Sequence, residues 1–329
     1  MADLSTTYMG IKLRNPVIAA SSGLTNSLED IMELEQYGAA AVVLKSLFEE
    51  EIRIELEKDL SRMTRESFLY PETIDYYDTY DVEDTLTTYL KLIRDCKQKV
   101  TIPVFASINC VTAEKWPYYA ATLQDSGADG LELNVFILPS DTSQTAEEHE
   151  KLYFEIIEKV KEQVTIPIAL KISYYSSNLA SLIERLSKTG IAGLVLFNRF
   201  YSPDIDIDRF EVLATNVFSN PEEMSIPLRW IAIMADRVGC DLAASTGIHD
   251  GKAVIKQLLA GATATQVASV LYRKGKEYIK TMLNEIEGWM NNKDFKYISD
   301  FRGRMSLSGS ENPAAYYRVQ FMKHFAGKQ

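Results

Sequence analysis

The sequence predicts an α/β protein of the TIM-barrel class, a (β/α)8 barrel with residues 1–329 in one domain, and three observations carry that expectation. Short apolar strands recur after helix-ending glycines. One phrase occurs twice, as "VTIPVFASIN" (100–109) and "VTIPIALKIS" (164–173), with proline at the strand entrance, where no ladder donor is lost. Amphipathic stretches of helical length fill the intervals. The strands are uninterrupted apolar runs, as expected where both faces of a parallel sheet are covered. An open doubly wound sheet is the alternative.

In chain order, a short N-terminal hairpin precedes the first strand, "NPVIAASSG" (15–23), and "YGAAAVVLKS" (37–46) is the second. The two repeated phrases are strands three and five, with "SGADGLELN" (126–134) between them. "TGIAGLVLFN" (189–198), "VGCDLAAST" (238–246) and "AGATATQVAS" (260–269) complete the set. Helices are expected over 27–37, 82–99, 112–125, 145–164, 176–188, 228–237, 250–259 and 275–291. Thr145 followed by Glu148 reads as a capping box, each side chain accepting from the other residue's N–H. Long loops follow strands two, four and six; those at 46–81 and 199–227 lie on the side where a barrel's active site forms.

A net charge of −11 and a pI near 5.0 repel phosphate backbones, which argues against nucleic-acid partners. Cys96, Cys110 and Cys240 lie far apart, as do His149, His249 and His324, so neither set has metal-ligand spacing. The N-terminus has no apolar core of a signal peptide, and no apolar run approaches the roughly 20 residues of a membrane span. A cytoplasmic protein acting on a small molecule is expected.

Chemistry in such barrels gathers where the strands end. Here those ends carry Ser21, Ser22, Lys45, Ser46, Ser107, Asn109, Glu132, Asn134, Lys171, Ser173, Asn198, Ser245, Thr246, Gln266 and Ser269. Any one of them is explained by a strand surfacing into water. Lys171 differs, because it stands inside the apolar "IALKIS" and needs an anionic or electron-rich partner. "STGIHDGKAV" (245–254) and "QVASVLYRKG" (266–275) place glycine turns and free backbone N–H groups after strands seven and eight, the usual phosphate cradle of this fold.

These residues resemble the class 1 dihydroorotate dehydrogenases, FMN-binding barrels. The likeness runs through "NPVIAASSG", "VLKS", "DYYDTY" (75–80), "LELN", "ALKIS", "LFN", "STGI", "LLAGATATQVAS" and "NEIEGWMNNKDFKYISDFRG" (284–303). The resemblance implies that Lys171 faces the flavin N1–C2=O edge and that Lys45 lies beside flavin and substrate. It implies that Ser22, Gly23 and Ser46 line the isoalloxazine, that Thr246, Gly247, Ala268 and Ser269 surround the phosphate, and that Asn134 and Asn198 bind substrate. Soluble members of the family are commonly dimers, so a homodimer is expected. Pyrimidine biosynthesis, through oxidation of dihydroorotate to orotate, is the leading assignment.

The departures fall on the substrate side. The family's Cys or Ser base follows Glu-Leu-Asn after two intervening residues; here that position is Ile137, followed by Leu138 and Pro139. "RMTRESFLYPET" (62–73) replaces a glycine- and asparagine-bearing segment, and Arg199 replaces a small polar residue. Isoleucine cannot accept a proton. Either Ser140, Asp141 or Thr142 reaches the site from a remodelled loop, with Ser140 the candidate base, or the substrate is a different planar compound, walled by Phe136-Ile137-Leu138, with Arg199 for a carboxylate. A flavin-binding protein without turnover is the third reading. A Schiff-base aldolase built on Lys171 is a separate class, and a colourless protein trapping a carbonyl substrate with borohydride would reveal it. Dihydrouridine synthases share the flavin barrel, but the acidic charge counts against tRNA.

Overall fold

Each of the eight strand phrases alternates between residues that can fill a narrow barrel and bulky aliphatics that suit a helix-facing surface. A computed structural model of the protein describes residues 2–48, 85–109, 116–135, 137–199, 202–215 and 217–317. In it the phrases form strands β3 (Val17–Ala19), β4 (Ala41–Val43), β6 (Val104–Asn109), β7 (Gly130–Asn134), β8 (Ile168–Ile172), β9 (Gly193–Leu196), β12 (Asp241–Ser245) and β13 (Ala264–Val267). They pair in parallel in the order β4-β3-β13-β12-β9-β8-β7-β6, and β4 pairing with β6 closes the ring. The short β5 (Leu47–Phe48) extends the rim beside β6. The barrel is the predicted (β/α)8 barrel; the open sheet is excluded.

The surrounding helices follow the amphipathic stretches: α1 (Leu28–Gln36), α2 (Thr85–Lys99), α3 (Trp116–Asp125), α4 (Ala146–Lys161), α5 (Leu179–Ser187), α6 (Ser225–Met234), α7 (Gly251–Ala260), the short α8 (Ser269–Lys274) and α9 (Tyr278–Asn292). Their starts are written in the sequence. Thr145 and Glu148 form the expected capping box of α4, and Asp250 caps α7 by accepting from Ala253 N–H at 2.7 Å. The outward side chains Leu131, Leu133, Leu170, Ile172, Leu194 and Leu196 belong to the cluster packed beneath the helices.

The inward set is smaller and separate: Ile18, Ala41, Val43, Phe105, Ala169, Val195, Ala243 and Ala264. It is closed from below by the hairpin of β1 (Thr6–Tyr8) and β2 (Ile11–Leu13), whose Tyr8 inserts edge-on against Phe105, centroids 6.2 Å apart. Alanine and glycine at the inward positions make room for these two rings; a Cβ at Gly193 would lie 3.0 Å from the Tyr8 hydroxyl.

One feature departs from expectation. The 199–227 excursion contains an antiparallel hairpin, β10 (Ser202–Asp206) and β11 (Glu211–Thr215), carrying exposed Ile205, Ile207, Phe210 and Val212. Its signal was the alternation Asp204-Ile205-Asp206-Ile207-Asp208, a strand period. The segment 49–84, with "RMTRESFLYPET" and "DYYDTY", lies outside the described residues, as do Cys110, Phe136 and His324. No helix among the described residues is long and apolar enough to cross a membrane.

The Tyr8 hydroxyl is buried with no hydrogen-bond partner among the described residues, and burial drives its pKa well upward. Tyr8→Phe removes an unsatisfied polar atom and is expected to leave stability unchanged or raise it by about 1 kcal/mol. Tyr8→Ala opens a cavity and is expected to cost about 3–5 kcal/mol. Urea denaturation of both variants checks the pair.

Candidate functional site

The period-2 alternation that sends leucines outward sends Glu132, Lys171, Gln266 and Ser107 inward, one layer above the apolar set. Strand pairing sets Glu132 beside Ala169 and Ser107 beside Glu132. Lys171 Nζ donates to Glu132 Oε1 at 3.2 Å and to Gln266 Oε1 at 2.9 Å, and Gln266 Nε2 donates to Glu132 Oε2. All three side chains are buried. The amide has one workable orientation, since a flip would set its NH2 against the ammonium and its oxygen against the carboxylate. The partner that the sequence demanded for Lys171 is therefore Glu132, a residue marked at a strand end but given no role.

A lysine ammonium has three N–H donors. Two are engaged, and Lys171 also lines a cavity of about 270 Å3 at the barrel mouth. Its walls include Ala20, Ser21, Asn198, Ser219, Ser245, Gln266 and residues 246–248 and 267–269. Among the described residues the third donor has no partner, and it is open to a ligand there. A cation at the floor and hydroxyls with main-chain groups at the far end suit a ligand with an electron-rich planar part and a phosphate.

The far end brings the predicted Thr246, Gly247, Ala268 and Ser269 together. Thr246 and Gly247 are both left-handed, φ 79° and 75°, and a Cβ on Gly247 would stand 2.2 Å from the Met224 backbone nitrogen. Glycine is required there by both torsion and space. The hub of this end is Ser219, which the sequence reading missed. Its N–H donates to Ser269 Oγ at 3.0 Å, and its Oγ accepts from Gly247 N–H at 3.3 Å and lies 3.1 Å from His249 Nε2.

Asn134 and Asn198 also meet, with Asn198 Nδ2 donating to Asn134 Oδ1 at 2.6 Å. Arg199 borders the cavity, but its guanidinium is engaged by Glu223, with Nε to Oε2 at 2.8 Å, and by Val217 O at 3.0 Å. Against the upward push of burial, hydrogen bonds from Arg199 and the Asn220 N–H hold Glu223 below the usual carboxylate range. Arg199 is thus a neutralised cation, where the sequence suggested one open to a substrate carboxylate. Beyond Asn198 and Thr246 a second pocket of about 200 Å3 is walled by Tyr174, Tyr175, Phe197 and Pro203.

Other predicted residues are not drawn to this cavity. Ser46 is buried in a serine chain, its Oγ 3.2 Å from Ser21 Oγ and 2.8 Å from Ser107 Oγ, so it supports the wall from behind. Ser22 caps a short turn over Gly23–Thr25, and Gly23 lies against the Tyr272 hydroxyl. Lys45 lines a different cleft with Ser27, Thr85 and Asp95. Ser140 is exposed, in a loop where its N–H donates to Leu138 O, and Ile137 faces a side pocket with Tyr153 and His149. Neither Ile137 nor Ser140 lines Lys171's cavity.

Removing one member of the buried ion pair leaves the other charge uncompensated. Lys171→Met is expected to cost about 3–5 kcal/mol, and Lys171→Met/Glu132→Gln to recover at least half of that. Denaturant midpoints of the two single variants and the double variant test the coupling.

Comparison with known proteins places these residues in context. Residues 82–290 match the family model described as Dihydroorotate dehydrogenase. A protein of Thermoplasma acidophilum named "Dihydroorotate dehydrogenase B (NAD(+)), catalytic subunit" is 26% identical over 313 residues, 92% of this chain and 99% of that one. Relatives bearing the same name are 26% identical over 316 residues in Thermoplasma volcanium and 24% over 312 in Pyrococcus abyssi, covering 92% and 91% of this chain and 98% of each relative.

Proposed function

The chain belongs to the dihydroorotate dehydrogenase family, and from that premise we propose that it is an FMN-dependent oxidoreductase taking two electrons from the ring of dihydroorotate to give orotate. The observation that carries the reading is the Lys171–Glu132–Gln266 triangle at the floor of a cavity whose other end is a glycine-dependent cradle. These residues fit FMN. Ser219, Thr246, Gly247, Ala268 and Ser269 would hold its phosphate, and Lys171 and Gln266 would meet the ring.

FMN, when bound, supplies an acceptor for a hydride from the substrate carbon. The chain's own contributions are electrostatic and positional. Lys171 keeps a donor and a positive charge where negative charge accumulates, and burial strengthens that interaction relative to water. Glu132 and Gln266 fix the direction of its ammonium. Asn134 and Asn198 offer amide donors and acceptors to a pyrimidine edge once their mutual bond opens. Ile137 holds the family's base position and cannot take the proton that accompanies the hydride, so another group or water takes it. A homodimer working on a small molecule fits the family.

A second reading rests on the aromatic pocket and the neutralised Arg199: a different planar substrate, stacked beside Tyr174 and Tyr175. Anaerobic mixing with dihydroorotate separates the two. Loss of oxidised-flavin absorbance supports the first; persistent yellow colour with FMN still bound moves the substrate to the second. Lys171→Ala is expected to slow flavin reduction at least tenfold with either substrate, each tenfold being about 1.4 kcal/mol of lost transition-state stabilisation. Ser140→Ala is expected to change it less than about twofold; a loss in the 10²–10⁴ range of general-base catalysis would show that the loop closes and delivers Ser140.

A further inference from the structure

Three loops meet at the cradle end, and one buried imidazole touches the residue that joins them. His249 lies two residues beyond Gly247, is 7% exposed, and sets Nε2 3.1 Å from Ser219 Oγ. Ser219 in turn ties the loop after β11 to the loop after β12 through Gly247 N–H and to α8 through Ser269 Oγ. Because Ser219 Oγ already accepts from Gly247 N–H, its own hydrogen is free to point in one of two directions. With His249 neutral and its proton on Nδ1, the serine hydroxyl donates to Nε2. With His249 protonated, Nε2–H donates to Ser219 Oγ, and the serine hydrogen turns towards the cavity that Ser219 lines.

We propose that His249 is a positioning residue of the phosphate subsite: uptake of a proton on its imidazole, relayed through Ser219, turns a hydroxyl donor and a positive charge towards the phosphate of the bound flavin. This rests on the FMN reading above and adds a protonation step that the reading does not require. Charged groups of both signs face the imidazole. Arg273 and Lys274 approach from α8, Asp250 from its own loop, and Glu223 from the turn before α6. Asp250 is engaged in capping α7 and Glu223 in binding Arg199. Burial first, then Arg273, holds His249 below its ordinary range, so at neutral pH the free site carries a neutral ring. A phosphate dianion reverses that balance and raises the pKa, and binding is then favoured below the raised value.

The test measures flavin affinity of the wild-type protein, stripped of flavin, by fluorescence quenching between pH 8.5 and pH 7. FMN affinity is expected to rise about three- to tenfold as the pH falls, while riboflavin, which has no phosphate, stays flat. The phosphate's own second ionisation, near pH 6, works in the opposite direction and cannot produce that slope. Calorimetry in buffers of different ionisation enthalpy is expected to show proton uptake with FMN only. His249→Gln keeps an amide beside Ser219 and is expected to bind FMN with no pH dependence. FMN affinity that is flat or falls on acidification, or a riboflavin slope equal to FMN's, overturns the proposal. Failure to bind either flavin overturns the function reading, and this one with it, and is recognised by the absence of quenching at every pH.

Discussion

A lysine buried inside a barrel must be paired, and the constraint organises everything at the mouth. Glu132 from β7 supplies the charge, Gln266 from β13 holds both partners, and the three strands are brought into register by the closed sheet. Such a pair adds little net stability compared with an apolar core, because desolvation offsets attraction. Its value lies in direction: two of the three ammonium donors are committed, so the remaining one and the residual field have a fixed aim. The apolar layer beneath, plugged by Tyr8 and Phe105, keeps water from entering below and weakening that field.

The lysine and the glycine turn at the barrel mouth were legible because each obeys a local rule. Alternation within "IALKIS" and "LELN" sends Lys171 and Glu132 inward. The glycine in "STGIHDG" marks a turn that only glycine can make against the Met224 backbone. The helix caps at Thr145 and Asp250 are similarly local. Such features need no knowledge of distant contacts.

What escaped the sequence is long-range. Ser219 lies in an excursion read as loop, and its role appears only when β12 and β13 bring their own loops beside it. Arg199 looked available because its partner, Glu223, sits 24 residues away across the β10–β11 hairpin. Lys45 and Ser140 match or neighbour family positions, yet the described chain sends one to a separate cleft and leaves the other exposed. Lys45 precedes the excursion that carries "RMTRESFLYPET" (62–73), and Ser140 lies in the loop where Ile137 stands. The departures from the family pattern fall in loops, while the residues of the proposed cofactor end lie on strand ends and main-chain turns.

The most direct measurement is a crystal structure of the protein grown with FMN. The expected result is an isoalloxazine edge within hydrogen-bonding distance of Lys171 Nζ, with the phosphate enclosed by residues 246–248, 268–269 and Ser219. A barrel mouth closed by side chains, or a flavin whose phosphate lies away from those turns, would contradict it.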